Sequence, residues 1–573
     1  MSYKQLLDEW NNFSELDSVW KEDLHLLLTD EKRAEDAFYR DLEFGTGGMR
    51  GEIGAGTNRI NTYTIRKATF GLSAYIKAAG TEAMSRGVVI AYDSRRFSPE
   101  FAQEAANTLA ANGIKAYVYK EPRTTPQLSF SIRELNAFMG LVITASHNPP
   151  EYNGYKVYGE DGAQLNLKDA DEVIKYVQEA GNALQIKLGD INERAITYLG
   201  EEMDKVYIEQ LKTVQENTEL AETTDLKVVF SPLHGASGQT VKRILSEAGY
   251  KHIYYVAEQM EPNGEFPTLK SPNPEEHSAY EYAIQYGEKN DADILVAVDP
   301  DGDRVGLAVQ TENGYKLLTG NQTGAILIEY LLTQRKAKGG IPANGRVFKT
   351  IVTSDLGRVI AEYHGASTEN VLTGFKFIGE KIKQYEQTKE YEFLFGYEES
   401  YGYLIKDFAR DKDAVQSVLA LVEAAAYYKK LGMTLVDVLH SLYERHGYYL
   451  EGLVSVTKKG VSGANAIKNL LGHIRVNKLT EVAGIAVHSQ EDYLTSLRTF
   501  TDGRKAEQIL LPQSNVLKYF LADGSWVCVR PSGTEPKIKY YFGVTSGSEV
   551  ESIDKLEALK VAFTNVMNTY LEE

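Results

Sequence analysis

The sequence has a single cysteine, Cys528, among 573 residues, so no disulfide can form within the chain and a reducing compartment suits it. It also lacks any apolar run close to the roughly 20 residues that span a bilayer. The first residues, MSYKQLLDEWNNF, lack the basic start and apolar stretch of a secretory signal. These absences lead us to expect a cytoplasmic protein that has no membrane partner.

Positive charge is also in short supply, since 62 lysines and arginines face 80 aspartates and glutamates and leave a formal net charge of −18. Such a surface repels nucleic acid and anionic membranes, so we expect neither as a partner. If the substrate is itself an anion, local clusters of basic side chains must overcome the field of the whole protein. The loops described below contain the candidates for those clusters.

The length predicts several domains, because one hydrophobic core does not grow to 573 residues. Residues 1–40 carry leucines and aromatics at helical spacing, and we expect them to be helical. From about residue 85, short β-rich runs alternate with amphipathic helices, which is typical of α/β domains with largely parallel sheets. The runs are Val88–Tyr92, Phe138–Ala145, Lys227–Phe230, Ile294–Val298, Arg346–Val352 and Glu392–Phe395.

The fold class that we predict is α/β, with boundaries near residues 205, 320 and 447. They give three mixed α/β domains, residues 1–205, 206–320 and 321–447, and a smaller α+β C-terminal domain, residues 448–573. The last domain contains two β-type runs, Ser525–Arg530 and Lys537–Phe542, and Val415–Tyr428 is predicted to be a buried helix. Ligands of open α/β sheets bind beyond the carboxyl ends of strands, so we expect the chemistry in the loops there.

The first of these loops, Thr144–Pro150, places Ser146 between an apolar strand and an Asn-Pro turn that would expose its hydroxyl. Taken alone, Ser-His-Asn is more often a plain turn. No Gly-x-Ser-x-Gly elbow surrounds the serine, so acyl transfer is not indicated. A serine also carries a phosphoryl group in covalent catalysis, and Lys156, one short loop downstream, is a candidate acid/base or phosphate-binding group.

The second loop runs from Asp299 to Arg304 and carries carboxylates at alternate positions, on Asp299, Asp301 and Asp303. Such carboxylates repel one another unless a cation lies among them, and oxygen ligands favour Mg²⁺ or Ca²⁺. An EF-hand does not fit, because Gln310 occupies its twelfth loop position. Three carboxylates leave room for water and a phosphate oxygen around Mg²⁺, and the guanidinium of Arg304 suits phosphate. The alternative is a solvated acidic turn.

Two further loops hold polar groups that suit a sugar phosphate. Gly396–Gly402 offers Glu398 and Ser400 to vicinal hydroxyls, although an acidic turn explains this segment equally well. Arg530–Pro536 combines an arginine, two hydroxyls and a glycine turn, which form either an anion cradle or a plain hairpin turn. The segment Arg410–Asp413 is predicted, by itself, to be a solvated helix start.

With these loops in this order, the chain resembles the α-D-phosphohexomutase family, specifically its phosphoglucomutase branch. The resemblance runs from about Gly45 to the C-terminus, and Thr-Ala-Ser-His-Asn-Pro and Asp-Pro-Asp-Gly-Asp-Arg together give it its specificity. It implies four domains around a central cleft, three with a mixed α/β core and a fourth of a different fold.

The resemblance implies roles for residues of all four loops. Ser146 corresponds to the phosphoserine, and Asp299, Asp301 and Asp303 would hold Mg²⁺ together with an oxygen of that phosphoserine. The charged groups around the transferred phosphoryl are matched by Arg50, His147, Lys156 and Arg304. Glu398 and Ser400 correspond to the residues that recognise the sugar. The loop that binds the phosphate that is not transferred corresponds to Arg530, Ser532, Gly533 and Thr534. Further substrate-binding candidates are Lys412 and Lys376, the latter because Phe375 replaces a histidine of some members.

The implied activity moves a phosphoryl group between C1 and C6 of a hexose, through phospho-Ser146 and glucose 1,6-bisphosphate, which is both intermediate and activator. One Mg²⁺ per chain is the implied cofactor, and hexose phosphates are the implied partners of a monomer or weak homo-oligomer. A mannose or pentose phosphate mutase and a phosphatase that uses the same phosphoserine remain open. A non-catalytic sugar-phosphate-binding protein should have lost Ser146 or the aspartates, and both are intact.

Overall fold

The computed structural model describes residues 2–45, 47–458, 460–532 and 537–572. Three mixed sheets flanked by helices follow one another along the chain, and a sheet with antiparallel pairing throughout comes last. The predicted fold class is therefore confirmed. Among the described residues, no helix combines the length and the apolar character that crossing a bilayer requires.

The first domain is built on a six-stranded sheet with the order β1-β5-β4-β2-β3-β6. Its central strands pair in parallel, whereas β5 pairs antiparallel with both β1 and β4. The strands are β1 Met49–Glu52, β2 Val88–Tyr92, β3 Ala116–Tyr119, β4 Met139–Ile143, β5 Tyr152–Tyr158 and β6 Ile196–Leu199. The helices are α1 Tyr3–Asn12, α2 Ser18–Leu27, α3 Glu31–Phe38, α4 Thr62–Ala79, α5 Thr81–Arg86, α6 Ser98–Ala111, α7 Thr125–Glu134 and α8 Leu167–Glu179, with 3-10 turns at Ala183–Gln185 and Glu193–Ala195.

The N-terminal segment is helical, as predicted, and packs on the first domain. Trp10 and Trp20 are each 2% exposed and lie in the same apolar cluster as the core of that domain. The indole N–H of Trp20 also donates to Thr62 Oγ1 at 3.0 Å, at the start of α4. Burying two tryptophans stabilises this packing, because large aromatic side chains remove the most apolar surface from water.

The second domain has a five-stranded sheet with the order β11-β10-β9-β7-β8. Its strands are β7 Val228–Ser231, β8 Ile253–Tyr255, β9 Ile294–Val298, β10 Val305–Thr311 and β11 Gly314–Leu318. Its helices are α9 Glu201–Lys212, α10 Glu219–Thr223, α11 Gly238–Ala248, α12 Ala257–Met260 and α13 Glu281–Asn290, with a 3-10 turn at His277–Tyr280. Since β9 and β10 pair antiparallel with Val298 opposite Val305, the Asp299–Arg304 loop closes a tight hairpin.

The third domain has a four-stranded sheet with the order β13-β12-β14-β15. Its strands are β12 Gly345–Thr350, β13 Ser367–Val371, β14 Glu392–Glu398 and β15 Gly402–Leu404. Its helices are α14 Gly320–Ala337, α15 Leu356–His364, α16 Phe375–Thr388, α17 Ala414–Lys430 and α18 Leu435–His446. Helix α17 is almost entirely buried, which confirms the buried helix predicted at residues 415–428.

The prediction of a solvated segment before α17 is wrong, because Arg410–Asp413 is buried. A helix does start there, since the Asp413 carboxylate accepts the N–H of Gln416 as an N-cap. The buried charges are partnered instead of solvated, for example Asp411 by the Tyr158 hydroxyl at 2.8 Å. Sequence alone could not show this, since Tyr158 and Asp303, which contact Asp411 and Lys412, lie in other domains.

The C-terminal domain has an antiparallel sheet with the order β16-β23-β22-β21-β18-β19-β20, and β17 pairs with β18. Its strands are β16 Tyr448–Thr457, β17 Glu481–Val482, β18 Ile485–Asp492, β19 Leu497–Phe500, β20 Glu507–Gln508, β21 Leu517–Leu521, β22 Trp526–Pro531 and β23 Lys537–Ser546. Its helices are α19 Gly460–Val476 and α20 Glu549–Glu572. This domain contacts the third domain where Lys518 Nζ donates to Ile351 O at 2.6 Å, just after β12.

Candidate active site

The two most specific loops of the sequence meet in the structure. Strand β4 ends at Ile143 and is followed by the Ser146 loop, while β9 ends at Val298 and is followed by the Asp299 loop. Ser146 Oγ donates to Asp299 Oδ2 at 2.8 Å, across the junction of the first and second domains. The serine hydroxyl therefore faces the aspartate loop directly, as two adjoining strand ends allow.

Ser146 has an unusual backbone conformation with a φ of +52°. The left-handed region is uncommon for a residue with a Cβ, and such residues concentrate at functional sites. The Ser146 N–H donates to Thr144 Oγ1 at 2.8 Å, and Ser146 Oγ also lies 3.2 Å from His147 Nδ1. The loop thus presents the hydroxyl to both a carboxylate and an imidazole.

The carboxylates of Asp299, Asp301 and Asp303 are buried, and one oxygen from each lies within 4.8 Å of the others. The loop is tight because Gly302 adopts a φ of +70°, and a Cβ there would lie 2.4 Å from Thr124 Cγ2. One buried oxygen of Asp301 and one of Asp303 have no hydrogen-bond partner. A buried oxygen cluster with unpaired acceptors fits a hard divalent cation.

Electrostatic repulsion within the triplet is large. Burial, together with the charges of Asp301 and Asp303, raises the pKa of Asp299 well above its ordinary value. Helix α7 offsets part of the charge, because the Thr125 N–H and hydroxyl donate to Asp301 O at 2.8 Å and Asp301 Oδ2 at 3.0 Å. Sequence analysis had not identified Thr125, whose partner is distant along the chain.

Two lysines from different domains contact the triplet. Lys156 Nζ, from β5, lies 2.8 Å from Asp301 Oδ2, and Lys412 Nζ, from the third domain, lies 3.1 Å from Asp303 Oδ2. Burial would lower the pKa of Lys412, yet Asp303 and Asp411 hold it above its ordinary value. Lys156 and Lys412, two of the three lysines that were candidates from the sequence, therefore lie at the centre of the site.

The other charged candidates surround the Ser146 loop. The Arg50 Nη1 donates to Asn148 Oδ1 at 3.1 Å, and Arg304 Nη1 donates to Glu275 Oε1 at 2.9 Å. Burial and the nearby charges of Arg304 and Arg50 lower the pKa of His147 well below its ordinary value. The imidazole is consequently neutral at pH 7, so one of its ring nitrogens can accept a hydrogen bond.

The third loop is tied to the hairpin of the second domain and to the turn after β12. The Val305 N–H donates to Tyr401 O at 3.0 Å, just beyond Arg304. Buried Glu398 accepts the N–H of Gly374 at 2.8 Å, whereas half-buried Ser400 follows in the loop. The neighbouring Glu399 carboxylate accepts the hydroxyls of Thr350 and Thr353 at 3.2 and 3.0 Å, which fixes the orientation of the loop.

The fourth loop begins at the end of β22 with Arg530 and Ser532, and Gly533 and Thr534 lie outside the described residues. Lys539 stands opposite Arg530 in the β22–β23 pairing. Burial and the charges of Arg530 and Arg304 lower the pKa of Lys539. These three cations are therefore close enough to interact, and sequence analysis missed Lys539 although its strand was predicted.

Lys376 lies on α16, on the wall of a cavity of about 630 Å³ that also borders Gln164 and Leu511. The charges that act on it are those of Glu380 and Asp171, and burial lowers its pKa. Its role in substrate binding stays a prediction. The ring of Phe375 lies 5.5 Å from Lys412 Nζ, so a lysine ammonium lies beside this ring.

Comparison with known families gives matches along most of the chain. Four domain descriptions match, namely phosphoglucomutase/phosphomannomutase alpha/beta/alpha domain I at residues 41–183, domain II at 205–314, domain III at 319–446 and the C-terminal domain at 474–560. A phosphoglucomutase of Staphylococcus epidermidis is 39% identical over 531 residues, which cover 92% of this chain and 95% of the relative. One from Staphylococcus aureus is 38% identical over 525 residues, 91% of this chain and 93% of the relative.

Solved structures share the fold. A putative phosphomannomutase of Thermus thermophilus superposes with a TM-score of 0.68 at 21% identity, covering 92% of this chain and 99% of that one. Parafusin, a phosphoglucomutase of Paramecium, gives a TM-score of 0.64 at 18% identity, covering 93% and 95%. At these identities the similarity concerns the arrangement of the domains.

The buried triplet predicts a cation effect on stability. Mg²⁺ should raise the thermal unfolding midpoint of the wild type, because binding to the folded state alone stabilises by about 2.7 kcal/mol at a hundred times Kd. Asp301→Asn should lose most of this shift. Asp291→Asn, at an exposed site in the same domain, should keep it. Equal Mg²⁺ shifts in the wild type and Asp301→Asn, measured by calorimetry, would argue against a metal site here.

Proposed function

The chain belongs to the phosphoglucomutase/phosphomannomutase family, and from this premise we propose that it interconverts glucose 1-phosphate and glucose 6-phosphate through phosphorylated Ser146. It is an intramolecular phosphotransferase of the isomerase class. The observation that carries the proposal is the 2.8 Å hydrogen bond from Ser146 Oγ to Asp299 Oδ2, within a triplet of buried carboxylates. A nucleophilic hydroxyl at a hard-cation site is the arrangement that phosphoryl transfer needs.

The proposed cycle has two transfers. In the first, the free C6 or C1 hydroxyl of the sugar monophosphate attacks the phosphorus of phospho-Ser146, and the P–Oγ bond breaks to give glucose 1,6-bisphosphate. The bisphosphate then turns over within the cleft. In the second, Ser146 Oγ attacks the other phosphoryl group, and the isomeric monophosphate leaves. Splitting the reaction in this way lets one set of residues serve both ends of the sugar.

Asp299, Asp301 and Asp303 would hold one Mg²⁺ with an oxygen of phospho-Ser146, and their unpaired oxygens fit that role. When bound, the ion supplies charge neutralisation at the transferring phosphoryl group. The chain itself supplies Lys156, Arg50 and Arg304 around the same position, where they stabilise the equatorial oxygens during transfer. Preorganised charges in a buried site are worth more than the same charges in water.

We assign the proton transfers at the reacting hydroxyl to Lys156, whose Nζ is already at the triplet, 2.8 Å from Asp301 Oδ2. His147 is the second candidate. Its imidazole is held neutral by burial and by neighbouring arginines, which lower its pKa, and its Nδ1 lies 3.2 Å from Ser146 Oγ. A group within hydrogen-bond reach of the proton it moves satisfies the geometric requirement for acid–base catalysis.

The sugar and its second phosphate would be bound by the loops of the third and fourth domains. Glu398 and Ser400 are assigned to the hydroxyls, since Glu398 is held at the end of β14 by the Gly374 N–H. Arg530 and Ser532, with Gly533 and Thr534, are assigned to the phosphate that is not transferred. Support comes from the cation cluster of Arg530, Lys539 and Arg304, which suits a dianion. Lys412 and Lys376 complete the proposed set.

Substrate preference can be tested directly. We expect glucose 1-phosphate to be converted to its 6-phosphate faster than mannose 1-phosphate or ribose 1-phosphate when each is followed by NMR. Release of inorganic phosphate without an isomeric product would identify a phosphatase, and absence of any conversion would identify a binding protein.

We place the enzyme in the cytoplasm, a proposal supported by its one cysteine, which is buried and unpaired.

The covalent mechanism makes Ser146 indispensable. The protein as isolated should carry phosphate on Ser146 in part of the molecules, with an added mass of about 80 Da. Ser146→Ala should lower kcat by several orders of magnitude, while Ser85→Ala, an exposed serine of the same domain, should not. Near-normal turnover by Ser146→Ala would rule out the phosphoserine pathway.

Arg530 should govern binding of the distal phosphate. Arg530→Ala removes a charge-assisted hydrogen bond, so KM for the sugar monophosphate should rise roughly tenfold to a hundredfold. The kcat should fall and hydrolysis of phospho-Ser146 should increase, because the contact that helps to close the cleft is lost. Arg504→Ala, an exposed arginine of the same domain, is the matched control. If kinetic and phosphate assays show that KM and phosphate release are both unchanged, the loop does not bind the distal phosphate and is only a turn.

A further inference from the structure

Arg95 follows β2 and is fully buried in the first domain. We propose that its guanidinium is a positioning group that holds the Ser146 loop in the conformation required for phosphoryl transfer. The inference rests on the proposed function, because it concerns how Ser146 is oriented for that reaction. None of the sequence patterns had singled out Arg95, which lies about 50 residues before the loop that it contacts.

The guanidinium donates to four backbone carbonyls of one loop. Nη1 donates to Pro149 O at 2.8 Å and to Tyr152 O at 3.0 Å. Nη2 donates to Ser146 O at 2.5 Å and also to Asn148 O. A planar guanidinium presents several N–H groups in a fixed fork, which a lysine ammonium cannot reproduce. The loop is thus folded around this one side chain.

A second chain of hydrogen bonds reaches Ser146 from its other side. Asp93, whose Oδ2 lies 3.3 Å from Arg95 Nε, accepts the Thr144 hydroxyl at 2.6 Å through the same oxygen. Thr144 Oγ1 in turn accepts the Ser146 N–H at 2.8 Å. The peptide unit before Ser146 is therefore fixed by Thr144, and the unit after it by Arg95. Fixing both units determines φ and ψ of the serine.

This double attachment explains why Ser146 keeps a φ of +52°. The left-handed region is disfavoured for a residue with a side chain, so the loop would relax if either attachment were lost. Rotation about the Ser146 backbone bonds would carry Oγ away from Asp299 Oδ2, now 2.8 Å distant. Misplacement of a reacting group by about 1 Å is enough to reduce the rate about a hundredfold.

Arg95 is also shielded in a way that keeps its hydrogen bonds strong. The ring of Phe266, from the second domain, lies over the guanidinium, with 5.2 Å between the ring centre and Arg95 Cζ. Gly264 of the same loop packs against the backbone, since a Cβ there would lie 2.5 Å from the Arg96 nitrogen. Asp93 neutralises the positive charge, and the guanidinium is buried away from water. Hydrogen bonds are electrostatically stronger in such a low-dielectric interior than in water.

The test uses the full enzyme and compares Arg95→Lys with Arg96→Lys. The neighbouring Arg96 carries an exposed ion pair with Glu265, so its replacement controls for an arginine-to-lysine change that keeps the charge at the same place in the chain. We expect Arg95→Lys to lower kcat about a hundredfold with little change in KM, because Arg95 orients the serine and touches no substrate. Arg96→Lys should leave both constants near the wild-type values.

Chemical rescue separates positioning from stability. Arg95→Ala leaves a buried space beside the four carbonyls, and added methylguanidine should restore part of its kcat while leaving Arg96→Ala unaffected. Thr144→Val, which keeps the shape and removes the hydroxyl, should lower kcat about tenfold through loss of one hydrogen bond, again without raising KM. Thr144→Val keeps the inference testable if the Arg95 variants fold poorly.

The outcomes distinguish this inference from the proposed function. Wild-type kcat in both Arg95→Lys and Thr144→Val would overturn the positioning role while the mutase activity stands. So would a loss of activity that follows only the folded fraction, measured by circular dichroism, and that methylguanidine does not restore. If the wild type itself shows no phospho-Ser146 and no isomerisation, the proposed function fails instead.

Discussion

A cluster of three buried carboxylates, one of which accepts the Ser146 hydroxyl, is the constraint on which the rest of this structure depends. Like charges at such short range in a low-dielectric interior repel strongly, so the surrounding protein has to supply positive charge. Lys156 comes from the first domain and Lys412 from the third, while the triplet itself belongs to the second. The site therefore exists only where three domains meet, which explains why it needs a long chain with several sheets.

The same requirement resolves the conflict between an acidic protein and an anionic substrate. The net charge of −18 belongs to the whole chain, whereas Lys156, Lys412 and Arg304 bring basic side chains to the junction of the domains. Burial lowers the pKa of Lys539, and Arg530 and Arg304 are close enough to lower it further. Cations at the site itself outweigh distant surface charges, because salt screens the latter within about 8 Å at physiological ionic strength.

The sequence was sufficient to locate the strands and the chemistry at their ends, since apolar runs followed by Ser146 and by Asp299 mark strand termini in any α/β sheet. It was not sufficient for features that depend on distant contacts. The burial of Arg410–Asp413 follows from partners such as Tyr158. The role of Arg95 follows from its bonds to backbone carbonyls, which every residue type has and which therefore leave no pattern in the sequence. Lys539 was hidden for a similar reason, because the pairing of β22 with β23 places it opposite Arg530 on the neighbouring strand.

The transfer of the phosphoryl group can be followed in a single turnover. Enzyme carrying labelled phosphate on Ser146 would be mixed rapidly with unlabelled glucose 1-phosphate and quenched at intervals. We predict that the label leaves the serine at a rate no slower than kcat, appears first in glucose 1,6-bisphosphate and then in hexose monophosphate, with little inorganic phosphate. Product formation while the label stays on the enzyme, or its release mainly as inorganic phosphate, would contradict a mutase that works through Ser146.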